Sequence, residues 1–511
     1  MKLQIISRPA RRVALLLILV MMLSLLSSCG VIIINKPNET DAPATTVTPE
    51  TEAGPEQSGV ATEKEETTIA PPETEEPPVE TDPPAQITFP SRLDEATQRL
   101  NSLGHSINIS GFDLIYAAAN NTVDVIFPDE GSPLYAARLN RNAMIEEKYS
   151  SSVRTIYQET VTVDRLYEDI RVALSSGGSE DFYLDLLVLP STEAGRFLAK
   201  GLLKDMRSLP FYDISEGPQD GNLGVSRYFD VGAGADAPES LYAIYFNRNM
   251  VGSENAKTLY NAALEGKVTW EMLLTVSSSL AGKEADMAVQ DNAITVPGEL
   301  AAYLSGINYV TKNSAGVPKV DLADSDALII DSVIESIAKL SFYTPAEGGA
   351  SSRDKFLEGK VPFYLGTLSE MHDFYDEPIE WGLLTLPSEK DLGAFADSRP
   401  VLCISAINTR LEQTSIWLTA LNAASGEWIR DQYQAVSMTE YIRDNNSCLT
   451  LNKILSQKAE FAFERIYAGY YDGLKNATYG AAGNALVGGD KISVAIKKNL
   501  TSINKKLAKL P

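Results

Sequence analysis

The chain has 511 residues, with 44 Lys and Arg against 68 Asp and Glu, a formal net charge of −24, and only two His. So acidic a chain argues against nucleic acid or an anionic membrane surface as direct partners. His105 and His372 alone leave little material for a multi-His zinc site or a Ser-His-Asp system.

The first residues set the compartment. Lys2, Arg8, Arg11 and Arg12 precede a continuous apolar run from Val13 to Leu26, which is short for a membrane span and fits a secretion signal. Leu26-Ser27-Ser28-Cys29 follows at once and looks like a lipobox, the bacterial lipoprotein motif in which the Cys is acylated. The alternative is an uncleaved signal anchor that continues through Val31-Ile32-Ile33-Ile34. Residues 1–29 are therefore read as a lipoprotein signal peptide with its lipobox. From Lys36 to Pro90 the chain is rich in Thr, Glu and Pro, with Lys36 and Lys64 as its only basic residues. Such a stretch cannot bury enough apolar surface to offset the entropy of ordering, so residues 30–90 are expected to form a disordered tether.

The roughly 420 residues that remain are enough for two domains. From Phe112 onward short apolar runs alternate with amphipathic segments, an α/β pattern. Val123 to Phe127 reads as a strand, and Ser132 with Pro133 as the opening of a helix that runs to Tyr149. Leu166, Ile170, Ala173 and Leu174 share a helical face closed by Gly177-Gly178. Asp185 to Leu189 is a strand ended by Pro190, and Thr192-Glu193 begins another helix. Val231 to Ser240, rich in Gly, Ala and Asp, looks like a hinge that leads into a strand at Tyr242 to Phe246, and Thr269 caps a helix containing Trp270. Pro362 to Leu365, Trp381 to Leu384 and Val401 to Ile404 are further strands. At the end, Ile492, Ile496, Leu500, Ile503, Leu507 and Leu510 share one helix face while the lysines fall elsewhere, so the helix should pack on a domain; a basic membrane-binding helix is the alternative. Cys403 and Cys448 either pair or remain thiols, which spacing alone does not decide.

Several phrases together resemble the family 1 extracellular solute-binding proteins of bacterial ABC importers, sugar-binding type. Arg141 to Tyr149 is similar to that family's "RN-x-x-IEEKY" helix end, and Gly201-Leu202-Leu203-Lys204-Asp205-Met206 to its "G-x-L-x-DL" element. Tyr242 to Asn249 resembles the strand that opens the second lobe. Gly266 to Glu271 resembles "GKWTWD", with Val268 where an aromatic is frequent. Phe356 to Phe363, followed by Trp381 to Pro387, is similar to the element where the chain crosses back. The resemblance spans most of Phe112 to Pro511. It implies an α/β fold of the two-lobed, periplasmic-binding-protein-like type II clamp, with discontinuous lobes and a hinge. One lobe is expected from 112–240 plus 352–386, the other from 241–351 plus 387–511. The implied partners are a small solute, expected to be a mono- or oligosaccharide, the membrane subunits of an ABC permease, and the membrane through the lipid on Cys29. No cofactor, metal or nucleic acid is expected.

Ligands of open α/β sheets sit beyond the carboxyl ends of strands, and sugars need carboxylate and amide partners plus flat aromatic faces. That geometry selects Asp129, Glu130 and Tyr135 after the first strand and Ser191, Thr192 and Glu193 after the second. It also selects Glu239 and Tyr242 at the crossing, Thr367 and Glu370 after Gly366, and Trp428 as a stacking platform, whereas Trp270 and Trp417 read as core. Each polar residue could instead cap a helix or sit in a solvated turn. Catalytic motifs are scarce: there is no G-x-S-x-G and no phosphate-binding G-x-x-x-x-G-K-S/T, and Gly232-Ala233-Gly234 lacks a third member. Asp321, Asp324 and Asp326 lack the turn glycine of a calcium loop. A carboxylate-based glycosidase, an adhesin and a peptide-binding clamp remain as alternatives to capture of a sugar.

Overall fold

The computed structural model describes residues 98, 101–103, 108–120, 122–157, 161–177, 182–212, 228–230, 232, 235–312, 318–388, 395–396, 398–426, 428–457, 460–461 and 463–509. The expected signal peptide, Cys29 and the tether lie outside the described residues. In chain order the strands are β1 (Asp113–Ala118), β2 (Ser152–Thr155), β3 (Leu186–Pro190), β4 (Tyr242–Asn247), β5 (Met287–Val289), β6 (Val310–Lys312), β7 (Pro318–Val320), β8 (Phe363–Thr367), β9 (Trp381–Leu384), β10 (Phe395–Ala396), β11 (Pro400–Ile404) and β12 (Glu460–Phe461).

Two four-stranded sheets organise the molecule, ordered β11-β3-β1-β2 and β5-β8-β4-β9. In the first, β1 runs parallel to β2 and β3, while β11 returns antiparallel to β3. In the second, β4 is antiparallel to both β8 and β9, and β5 is parallel to β8. Each sheet is covered on both faces, which is why its strands read as unbroken apolar runs. Ile115 and Ala117 of β1 face one core with Phe197 and Leu166, and Leu114 and Tyr116 face another with Trp417 and Ile145. The second sheet divides likewise: Ile244 and Phe246 face Leu259 and Ile496, whereas Tyr245 faces Phe374, Trp381 and Tyr433. The observed fold is thus the two-lobed α/β clamp that the sequence phrases implied.

The lobe membership differs from expectation in two respects. Residues 352–386 were expected with the first lobe, yet β8 and β9 flank β4 in the second sheet, and β11 joins the first sheet beside β3. All residues of β9 and β11 are buried, so neither strand carries a polar face to indicate its neighbours, and the pairing is set by contacts far apart in sequence. The chain passes between lobes before β4, between β9 and β11, and again after the helix Leu411–Ser425. That helix packs on the first sheet, and the next, Trp428–Val436, packs on the second.

A second correction concerns the first strand, which is Asp113–Ala118 and not 123–127. Asp124 is the reason. Its Oδ1 accepts the backbone N–H of Ile126 (2.9 Å) and Phe127 (3.0 Å), and its Oδ2 accepts the Tyr116 hydroxyl (2.7 Å), so these donors are satisfied locally in a bend. The helix that follows is Tyr135–Tyr149, two residues inside the expected start, with Ser132 Oγ accepting from Leu134 N. Thr269 caps Trp270–Ser278 through Met272 N as expected, and the last helix, Ile492–Leu507, buries Ile492, Ile496, Ile503 and Leu507. Trp270 and Trp417 are buried, and Cys403 and Cys448 are free thiols. Among the described residues no helix is long and apolar enough to cross a membrane.

Candidate functional site

Both sheets turn the carboxyl ends of their parallel strands toward the crossings. Pro190, the end of β3, is the register partner of Pro400, where the chain enters β11 after leaving the other lobe. Thr367, the end of β8, is the partner of Tyr242, where the chain enters β4. The candidate site is therefore placed at the two sets of strand ends, beyond β1 and β3 in one lobe and beyond β5 and β8 in the other.

Buried ion pairs brace the crossing behind it. Arg138 of the helix Tyr135–Tyr149 is wholly buried and donates to Glu239 at 2.7 Å and to the Asp236 carbonyl at 3.0 Å. Asp236 also receives Arg430 Nε at 2.6 Å, and Arg399 stands 3.9 Å away. Burial by itself would raise the Asp236 carboxyl, but Arg430, then Arg399 and Arg138, overcome it and hold the group below the usual carboxylate range. Asp230, also buried, accepts from Gly232 N and Asn422 Nδ2, and burial raises it.

On the second lobe backbone hydrogen bonds join the segments of the expected residues Glu239, Tyr242, Thr367 and Glu370, while the Tyr242 ring packs in the core and Glu239 pairs with Arg138. Ser369 N donates to the Glu239 carbonyl at 3.0 Å, and Leu368 N to the Leu241 carbonyl at 2.7 Å. Thr367 is fastened by Gln290, whose Oε1 accepts its N–H, and by Ser369. Glu370 is buried, and its Oε2 has no hydrogen-bond partner; the nearest cation, Arg353 Nε, is 3.9 Å away. Burial, with Asp373 and Asp291 adding to it against Arg353 and Tyr364, pushes the Glu370 carboxyl up to about 7. Beside it, Asp291 and Asn292 hold left-handed backbone (φ 55° and 59°), a conformation disfavoured for residues with a Cβ. Asn292 Oδ1 accepts the Ser352 N–H at 2.9 Å, while the buried Ser352 hydroxyl has no partner.

On the first lobe Ser191 is buried and committed to the β3–β11 corner: its N–H donates to the Arg399 carbonyl (2.9 Å), and its Oγ accepts Arg399 N (3.3 Å). Thr192 and Glu193 are half-buried in the first turn of the helix Ser191–Ala199. Burial raises the Glu193 carboxyl, Arg196 opposes this, and Asp164 and Asp472 add to it. Arg196 joins Asp164 at 2.6 Å and Glu193 at 3.6 Å, and its guanidinium lies over the Tyr167 ring. Sequence reasoning missed Arg196, Asp164, Gln290, Arg353 and Asp472. A signal existed for Arg196, one turn after Glu193 on a helix; nothing local marks the others.

The remaining candidates are not gathered here. Asp129 and Glu130 are exposed on the loop before Tyr135, and Tyr135 is half-buried as the first residue of its helix. Trp428, expected as a stacking platform, is instead buried in the second lobe's core with Ile429 and Tyr433, so it presents no ring face to solvent. Its position at the start of an amphipathic helix directs it onto the sheet. Among the described residues no group of three or more His, Cys, Asp or Glu could hold a metal ion.

No protein-family model and no curated protein sequence matches the chain. Several solved structures are similar at low identity. One is M. tuberculosis UspC, at 12% identity and a TM-score of 0.48 over 77% of this chain and 100% of that one. Another is the galacto-N-biose-/lacto-N-biose I-binding protein of the ABC transporter from Bifidobacterium longum, in complex with lacto-N-biose (11%, TM-score 0.48, 79% and 99%). A third is the maltose-binding periplasmic protein MalE from Listeria monocytogenes in complex with maltose (15%, TM-score 0.45, 78% and 98%).

Proposed function

We propose that this chain is the solute-capturing subunit of a bacterial ABC importer, and that it takes a mono- or oligosaccharide between its lobes and hands it to a permease without chemical turnover. The observation that carries this reading is the architecture: two α/β lobes whose parallel strand ends face a shared set of crossings. A solute that touches both ends binds the closed form better than the open one and shifts the clamp toward closure by that difference. A permease that recognises the closed form would then take only loaded clamps.

The polar groups at the two ends suit hydroxyls. Thr192, Glu193 and Arg196 offer donors and acceptors from the first lobe, and Thr367, Glu370 and Arg353 from the second. The signal run and the lipobox around Cys29 support an extracytoplasmic position at the cell membrane, with the acidic stretch after Cys29 as spacer.

The test is a thermal shift of the purified chain against mono- and oligosaccharides and against peptides. A solute at a hundredfold excess over its dissociation constant adds about 2.7 kcal/mol of stability, which raises Tm visibly. A shift with sugars and no consumed sugar is the expected result. A shift with peptides alone moves the ligand class, product formation reinstates an enzyme, and no shift with any solute removes the capture reading. Replacing Cys29 by Ala should abolish lipid labelling and release the chain from the membrane fraction.

A further inference from the structure

The helix Phe463–Tyr470 is tied to one lobe and docked on the other. Arg465 reaches Glu299 of the helix Val296–Leu304 at 3.1 Å and lies over the Tyr479 ring, and Tyr467 and Ala468 enter the second lobe's core. Ile466, however, is part of the first lobe's core, with Phe197 and Leu198. The docking depends on two glycines. A Cβ on Gly195 would stand 2.0 Å from the Ile466 carbonyl oxygen, and a Cβ on Gly469 would stand 2.1 Å from that of Thr192. Backbones approach this closely only where side chains are missing on both sides, so that Cα–H groups meet carbonyls directly.

This contact lies on the first two turns of the helix Ser191–Ala199, at the carboxyl end of β3. We propose that the clamp carries its own latch: the close approach of Gly195 to the Ile466 carbonyl and of Gly469 to the Thr192 carbonyl holds the lobes together and covers the Thr192 end of the candidate site. Solute must then bind beside the latch or displace it, and its apparent affinity is set partly by the fraction of unlatched molecules. The inference rests on the two-lobe architecture and not on the identity of the solute.

Hydrogen exchange of the full chain without solute tests it. In Gly469→Leu the amides of residues 191–199, on the opposite lobe, should exchange about tenfold faster or more, while those of 113–118 and 242–247 keep their protection. The gentler Gly195→Ala should loosen residues 463–470 in the reciprocal direction, and it serves should the leucine prove too disruptive. Unchanged exchange at 191–199 in Gly469→Leu together with unchanged exchange at 463–470 in Gly195→Ala overturns the latch. So does equal loss of protection in the strands of both sheets, which would make the contact part of one indivisible core. Because these readings use no sugar, a failed latch with an intact thermal response to sugars retires only the latch, and the reverse result retires only the carbohydrate.

Discussion

The ends of β3 and β8 occupy corresponding places in the two lobes, and their polar groups are used in opposite ways. Ser191 and Ser352 are both buried serines at the first position of a helix. Ser191 is consumed by the Arg399 backbone, and the carbonyl of its neighbour Thr192 is covered by Gly469. Ser352 leaves its hydroxyl unpartnered, next to a carboxylate and a guanidinium that stand 3.9 Å apart without a hydrogen bond. One strand end is finished as structure, whereas the other keeps buried polar atoms without hydrogen-bond partners.

The largest way to disturb this arrangement is at the brace behind both ends. Arg138→Met should cost about 3–5 kcal/mol in denaturant unfolding, because Glu239 would be left as a buried charge without its partner. Adding Glu239→Leu should restore much of that loss, and no restoration would show that Arg138 acts through packing alone. Next in size is Glu370. Its ordinary value of 4.5 is raised to about 7 in the fold, so this group favours folding fully below about 4.5, and the contribution is lost as the pH rises to about 7. Glu370→Gln should therefore gain on the parent by about 3 kcal/mol between pH 4.5 and pH 8, as the difference of two denaturation curves. A gap that does not change with pH would place the carboxylate in contact with solvent or a firm cation. The smallest test compares the two serines directly. Ser191→Ala should lose about 1 kcal/mol, whereas Ser352→Ala should be neutral or slightly stabilising, because it removes an unsatisfied buried hydroxyl. If Ser352→Ala lowers Tm as much as Ser191→Ala does, the contrast between the lobes fails.

Much of the fold was legible locally. The strands at 185–189, 242–246, 381–384 and 401–404 and the helices capped at Thr269 and closing at Tyr149 were visible, since apolar runs of strand length and capping residues are short-range signals. Apolar patterning points to 123–127 and not to the strand at 113–118, because the bend at Asp124 depends on side-chain hydrogen bonds that such patterning does not report. The candidate site was half legible. Backbone hydrogen bonds join the segments of Glu239, Tyr242, Thr367 and Glu370, while Trp428 turns inward because its helix lays that face on the second sheet.

The sequence by itself determined the acidic charge and the alternation of strands and helices, because each follows from composition or from patterns a few residues long. Only the tertiary structure decided which sheet takes β8, β9 and β11, that Glu370 and Ser352 keep unpartnered atoms, and that Gly195 meets the Ile466 carbonyl and Gly469 that of Thr192. These features arise between residues tens to hundreds of positions apart, where the energy lies in close packing and desolvation, and no local stretch of chain carries that information.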